Sequence, residues 1–203
     1  MRISHLLYIL ASVFVLIASP HNSFAHHENP TVFVKNMVDE CLNTLRVEKN
    51  KDLQAEKILG LMKNSFDFTV ITESLLSGLE VSDTDKLAFT NMFPTLLQMR
   101  YGMFVKSPDS LTVEYERHEF FIAGRGAIVH TRTKIPPYDM ALNYKLHHKD
   151  GKWKIYDITV DNVSLVSNYR AQIHKTLTRR SFADFLAYLR EIVGKKVSAV
   201  DSR

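Results

Sequence analysis

The chain has 203 residues, 45% of them hydrophobic, and a formal net charge of +4 at neutral pH. Apart from an N-terminal leader, this length fits one domain with a sizeable core, and no repeats or low-complexity tracts occur within it. The single cysteine, Cys41, excludes an internal disulfide, and its apolar surroundings indicate a small buried side chain. Basic pairs at 179–180 and 195–196 do not form the sustained basic and aromatic array of a nucleic-acid-binding surface.

The N-terminal segment has the pattern of a secretory signal peptide. Arg2 precedes an apolar run of 13 residues over 6–18, and Ser23-Phe24-Ala25 places small residues where a signal peptidase cuts. The alternative, a membrane anchor, needs roughly 17 to 20 apolar residues, which is more than the run provides. We therefore expect residues 1–25 to be a cleaved signal peptide, 26–195 to be the folded domain, and 196–203 to be a loose basic tail.

Helical periodicity begins after this leader. Asn29-Pro30 has the pattern of a helix start, with Asn as cap and Pro at the first helical position. An apolar stripe at helical spacing follows it, formed by Val34, Met37, Val38, Cys41, Leu42 and Leu45. Between 52 and 80 the pattern predicts short helical pieces with breaks at Gly60 and Gly78. Asp67, between two phenylalanines, is predicted as a cap or a surface group.

A longer helix is predicted from residue 82 onward. Ser82 and Asp85 have the spacing of a capping box. A wide apolar face follows, formed by Phe89, Met92, Phe93, Leu96, Leu97, Tyr101 and Phe104. Pro94 removes a backbone donor, so a kink near residue 90 is expected. Periodicity alone favours plain core packing for this face.

After residue 110 the periodicity is that of strands. Alternation over 111–115 predicts the first strand, and Gly124-Arg125-Gly126 predicts a hairpin connection to the second. Pro136-Pro137 interrupts the chain before a third strand over about 139–148. Asp150-Gly151 then predicts a tight hairpin into the fourth strand.

That hairpin turn implies a register in which Tyr144 faces Asp157. A phenol and a carboxylate so placed could act as an acid/base pair, or could form a structural hydrogen bond.

At Asp161-Asn162 the period of the apolar residues changes from 2 to 3.6, which predicts that the strand continues directly into a helix. The stripe of this helix is Val163, Val166, Tyr169 and Ile173. A capping box at 181–184 opens a closing helix, which we expect to end at Gly194.

Helices before and after an antiparallel sheet predict an α+β domain. We expect a four-stranded antiparallel meander covered by helices, arranged as in the cone-shaped cystatin-like and nuclear-transport-factor-like folds. Such an enclosure can leave an apolar cavity between the layers. A filled core is the alternative, and it would indicate an interaction protein.

Three short segments follow one another in the last part of the chain: Tyr156-Asp157, Val163-Ser164-Leu165 and Asn168-Tyr169-Arg170. In residues, order and spacing they resemble the MlaC family of periplasmic phospholipid-binding proteins, the auxiliary components of toluene-tolerance ABC transporters. The apolar face over 89–101 and the closing helix are also similar, so the resemblance spans roughly residues 30–195.

This resemblance implies a monomeric periplasmic carrier with a phospholipid ligand, no cofactor and no enzymatic activity. It also implies docking to an inner-membrane ABC transporter complex through an MlaD-like component, and to an outer-membrane lipoprotein complex of MlaA type. Through these partners the carrier would contribute to the lipid asymmetry of the outer membrane.

An acyl-chain slot needs apolar groups from both layers. The residues that we predict to line it are Phe93, Leu97, Tyr101, Val129, Tyr144, Val163, Leu165, Val166 and Tyr169. For Arg170 two roles stay open, contact with the lipid phosphate at the mouth or a surface ion pair. A carrier of hopanoid-type lipids would have a similar sequence. So would an enzyme for a small apolar substrate on this scaffold, although no nucleophile elbow, phosphate loop or metal-ligand motif is present.

Overall fold

A computed structural model describes the backbone of residues 28–101 and 108–201, and the side chains of 28–100 and 108–194. The proposed signal peptide lies outside these residues. The helices are α1 (Pro30–Val47), α2 (Lys51–Ser65), α3 (Phe68–Leu76), α4 (Asp83–Tyr101), α5 (Leu165–Leu177) and α6 (Phe182–Asp201), with one 3-10 turn at Pro108–Ser110. The strands are β1 (Thr112–Phe121), β2 (Gly126–Ile135), β3 (Tyr138–Lys149), β4 (Lys152–Val160) and β5 (Val163–Ser164).

The predicted helix starts are confirmed by their caps. Asn29 Oδ1 accepts a hydrogen bond from the Thr31 amide at 2.9 Å, and α1 begins at the following proline. Ser82 Oγ accepts from the Asp85 amide at 3.1 Å and donates to the Asp85 carboxylate at 2.9 Å. The pair at 181–184 makes the same two bonds before α6. These side chains satisfy amides that have no partner within the helix.

Two of the three glycines expected to break helices do not break them. Gly60 lies inside α2 and Gly194 inside α6, which continues to Asp201. A helical glycine costs only about 1 kcal/mol relative to alanine, and burial of its apolar neighbours on α2 at 61–62 can offset that cost. Gly78 is different, because its φ of +83° ends the turn after α3.

The sheet is antiparallel throughout, in the order β1-β2-β3-β4-β5, so it has one strand more than predicted. Asp161 and Asn162 have φ of +47° and +67°, which reverses the chain in two residues. Val163 then pairs with Val160, and α5 starts only after this short strand. The prediction that β4 passes directly into a helix containing Val163 is therefore wrong.

The register of the β3–β4 hairpin follows the prediction near its turn and then shifts by one residue. Leu146 pairs with Ile155, but Lys145 pairs with Asp157, which leaves Tyr156 as the extra residue of a β-bulge. Tyr144 consequently pairs with Ile158 and not with Asp157. The predicted Tyr144–Asp157 pairing is wrong because of this insertion.

Two clusters of buried side chains form the core. The first joins α3, α4, α5 and α6 around Leu75, Phe89, Phe93 and Leu186. The second joins α1 to the sheet around Val34, Val129 and Trp153. Alternate residues of β2 are buried from Ala127 to Thr133. The α+β prediction, helices covering an antiparallel sheet, is thus confirmed, and none of the described helices is long and apolar enough to cross a membrane.

Asp67 connects α3 to β3. One carboxylate oxygen caps α3 through the Val70 amide at 3.2 Å. The other oxygen lies 2.8 Å from Lys149 Nζ and 3.1 Å from His147 Nε2, and the side chain is only 3% exposed. Burial alone would raise the pKa of Asp67, but the hydrogen bonds from Lys149 and the Val70 amide outweigh it and hold this pKa below its usual value.

We expect Asp67→Asn to lower the free energy of unfolding by about 2 kcal/mol at pH 7, because it leaves Lys149 without its charged partner. The native pKa lies below the unfolded value of about 3.9, so the stabilisation is complete above pH 5 and declines as the pH falls through the native pKa. Urea unfolding at several pH values measures this difference. The exposed Asp39, paired with Lys35, provides the control Asp39→Asn. Equal effects of both variants, or a difference that persists at acid pH, would contradict the assignment.

Candidate ligand-binding cavity

A cavity of about 350 Å³ lies between the helices and the sheet. Its walls come from helices α1 to α5 on one side and from strands β1 to β4 on the other. Nearly all of the lining side chains are aliphatic, aromatic or sulfur-containing. The space between the helices and the sheet is therefore mainly apolar.

Six of the ten residues predicted to bind a ligand line this cavity. They are Phe93, Leu97, Tyr144, Leu165, Val166 and Tyr169. Phe93 and Tyr169 meet edge to face with ring centroids 5.6 Å apart, so α4 and α5 are in direct contact at this wall. The structure therefore brings together residues from α4, the sheet and α5, which are separated by up to 76 positions in sequence.

Three predicted residues lie elsewhere, and the fourth is beyond the described side chains. Val129 is fully buried in the second cluster, beside the cavity wall. Val163 is 58% exposed, because it belongs to β5 and not to the helix. Arg170 does not line the cavity; it is exposed and donates to the Ser77 carbonyl at 3.3 Å. The side chain of Tyr101 is outside the described part of the chain.

Nine of the lining residues that we did not predict lie on α1, on α2 or just after the end of α2. They are Met37, Val38, Cys41, Leu42, Leu45, Ile58, Leu61, Met62 and Phe66. Five of them belong to the α1 stripe that the sequence already displays, so the signal was present. Periodicity identifies a buried helix face, but it does not tell a face that packs on a solid core from one that borders a cavity.

The ionisable groups of the wall are neutral or paired. Burial, and then the nearby Tyr115 and Cys41, raise the pKa of Tyr144. Burial and then Glu40 raise the pKa of the Cys41 thiol. Asp157 pairs with Lys145, with 3.0 Å between the carboxylate oxygen and Nζ, and its other oxygen accepts from the Val166 amide at 3.2 Å. Among the described residues, the cavity wall therefore offers an apolar guest no unpaired charge at neutral pH.

The remaining polar side chains of the wall are few. Gln98 donates to the carbonyl oxygen of Ala55, which ties α4 to α2. The Thr133 hydroxyl is buried and has no hydrogen-bond partner among the described residues. The β-bulge separates Tyr144 from Asp157 in register, and no hydrogen bond joins them in the described structure. No group of His, Cys, Asp or Glu side chains in the described residues could hold a metal ion.

Comparisons with known proteins agree with this architecture. The structure of a phospholipid-binding protein from Ralstonia solanacearum, in complex with a phospholipid, has a TM-score of 0.73 to this chain at 18% identity. The match covers 83% of this chain and 98% of that chain, and at this identity it shows a shared fold. A search of curated protein sequences found no match. A sequence model of the family described as MlaC protein matches residues 35–191. That match covers more than half of the chain, and the chain therefore belongs to the MlaC family.

Proposed function

We propose that this protein binds a phospholipid and holds its acyl chains in the cavity between helices and sheet. The observation that carries the proposal is an apolar cavity of about 350 Å³, whose described lining residues carry no unpaired charge, in a member of the MlaC family. The Ralstonia solanacearum protein of similar fold is described with a phospholipid bound, which supports the ligand class.

Hydrophobic transfer explains why such a ligand needs a closed cavity. Each methylene group moved out of water contributes about 0.8 kcal/mol, so a chain of about 16 carbons contributes roughly 12 kcal/mol. A bilayer offers the chain a similar environment. Transfer between a membrane complex and the protein can therefore be close to balance, provided that the carrier excludes water from the chain.

We further propose that the protein is exported by residues 1–25 and works in the periplasm. There it would shuttle phospholipid between an outer-membrane lipoprotein complex of MlaA type and an inner-membrane ABC transporter complex with an MlaD-like component. This activity would maintain the lipid asymmetry of the outer membrane. Membership of the MlaC family supports this assignment of partners. Within the protein, Phe93, Leu97, Tyr144, Leu165, Val166 and Tyr169 are the predicted residues that would touch the acyl chains.

Mass spectrometry of protein recovered from its native periplasm tests the ligand. We expect a glycerophospholipid in roughly stoichiometric amount. The sole cysteine, Cys41, lines the cavity and gives a site-specific readout, because a bound chain would shield its thiol from a maleimide. Alkylation should be slow in the loaded protein and at least about tenfold faster after the lipid is removed.

Three results would contradict the proposal. Protein that carries no lipid, together with Cys41 alkylation that is insensitive to added phospholipid, would indicate that the cavity is not an acyl-chain site. A hopanoid-type lipid in place of a glycerophospholipid would overturn the ligand class. Turnover of a small apolar substrate that Tyr144→Phe abolishes would identify an enzyme.

A further inference from the structure

A second cavity, of about 460 Å³ and open to solvent, lies next to the first, and we call it the lysine groove. It is bordered by the end of α2, the start of α3, the middle of α4 and the β3–β4 turn. Its charged lining residues are Lys63, Asp67, Lys149, Asp150, Lys152 and Lys154. Four lysines against two aspartates give the lysine groove an excess of positive charge.

Two of these lysines already form hydrogen bonds within the protein. Lys149 donates to the Asp67 carboxylate at 2.8 Å, and Lys154 donates to the backbone oxygen of Asn64. In contrast, Lys63 and Lys152 form neither an ion pair nor a hydrogen bond within the described residues. The ammonium groups of Lys63 and Lys152 are thus available to an anion from solution.

The lysine groove and the apolar cavity share a wall that is one side chain thick. On α2, Met62 lines the cavity and the next residue, Lys63, lines the groove. On α4, Phe93 lines the cavity and the next residue, Pro94, lines the groove. Phe66 lines both spaces. An apolar compartment and a basic compartment therefore meet at one aromatic ring.

The backbone around this ring is held firmly. The Phe66 amide donates to the Met62 carbonyl at 2.9 Å, and the next amide, of Asp67, donates to the Ile155 carbonyl at 2.9 Å. The Phe66 ring is half-buried and stacks on Phe68, with 5.7 Å between ring centroids. Phe66 is therefore the side chain at the boundary between the two spaces.

We propose that the lysine groove binds the phosphate of the lipid head group, while the acyl chains pass Phe66 into the apolar cavity. This inference rests on the proposed function and adds the position of the head group. The boundary at Phe66 matches the boundary of an amphiphile, because a charged phosphate and apolar chains join through a short glycerol unit. Lys63 and Lys152 neutralise the phosphate, and the open groove leaves the rest of the head group in water. A free phosphate ion shares this chemistry, so the test must separate the two sources.

Paramagnetic NMR locates the head group directly. The wild-type protein is loaded with phosphatidylcholine that carries a nitroxide on its choline group. We expect the strongest broadening at amides that border the lysine groove, among them Lys63, Thr69, Asn91 and Lys152. Strongest broadening at amides remote from the groove would overturn the proposal, and this arm requires no substitution.

Charge reversal provides the second arm. We expect Lys63→Glu with Lys152→Glu to weaken binding of dioleoyl phosphatidylglycerol by about tenfold, since two exposed attractive contacts become repulsive. Binding of uncharged dioleoylglycerol should change less than about twofold. Lys175→Glu with Arg179→Glu is the matched control, because these exposed residues of similar charge line neither cavity. An equal loss for both lipids, or no difference between the double variants, would overturn the proposal.

The remaining outcomes distinguish a site for free phosphate from a site for a lipid head group. They also distinguish failure of the proposed function from failure of the head-group position alone. If millimolar inorganic phosphate shifts the groove amides but the nitroxide broadens a different surface, the lysine groove is a site for free phosphate and the lipid assignment is wrong. If the wild-type protein binds neither dioleoyl lipid, it is the proposed function that fails. If it binds both and the charge-reversed variant does too, only the head-group position is refuted.

Discussion

Leu97→Trp is expected to lower the affinity for phospholipid by about 100-fold while the protein stays folded. Leu97 lines the apolar cavity from α4, and an indole at this position occupies space that an acyl chain would otherwise fill. If it displaces about four methylene groups at about 0.8 kcal/mol each, the loss is about 3 kcal/mol, which is a factor of about 100 in the dissociation constant.

The matched control for this variant lies on the same helix. Leu87 is 62% exposed and lines neither cavity, so Leu87→Trp makes the same chemical change without entering the interior. Lipid retained during purification, quantified per mole of protein, gives the measurement. Retention by Leu97→Trp equal to that of Leu87→Trp would show that acyl chains do not occupy this part of the cavity.

The second large effect concerns stability. Phe89 is 1% exposed at the centre of the helical cluster, with its ring 5.3 Å from that of Phe93 and 6.2 Å and 6.3 Å from those of Phe182 and Phe185. We expect Phe89→Ala to lower the free energy of unfolding by about 3–5 kcal/mol, since truncation removes the transfer energy of the ring and leaves an unfilled space among α4 and α6.

Trp153, the only tryptophan, makes this measurement informative about the whole domain. It is buried in the second cluster, so its fluorescence reports the sheet while the substitution is in the helical cluster. A lower urea midpoint at Trp153 means that the two clusters unfold together. The exposed Leu87→Ala should change stability by no more than about 0.5 kcal/mol. An unchanged Trp153 transition in Phe89→Ala would show instead that the sheet unfolds independently.

Local patterns in the sequence predicted much of the fold. The caps at Asn29, Ser82 and Ser181 marked the helix starts because a side-chain oxygen one turn before an apolar stripe satisfies free amides. The turn at Asp150-Gly151 has positive φ at both residues, as the hairpin required. Helix caps and hairpin turns depend on residues that are close together in sequence, so local sequence patterns are sufficient to predict them.

The predictions were wrong or incomplete where the local structure depends on contacts between segments that are distant in sequence. The bulge at Tyr156 adds one residue to β4, and no local signal distinguishes that residue from its neighbours. Val129 and Tyr144 are partners in adjacent strands on the same face, yet only Tyr144 reaches the cavity. Lys63 and Lys152, 89 positions apart, meet at the lysine groove only through the packing of α2 against β4.

In the proposed function, acyl chains occupy the space between helices and sheet. The most direct test is a crystal structure of the protein loaded with a phospholipid whose acyl chains carry bromine, with the bromine positions taken from anomalous scattering. We predict anomalous peaks inside the apolar cavity, between Leu97 on α4, Cys41 on α1 and Tyr144 on β3. Bromine found only on the outer surface, with the cavity closed by interlocking side chains, would contradict the account.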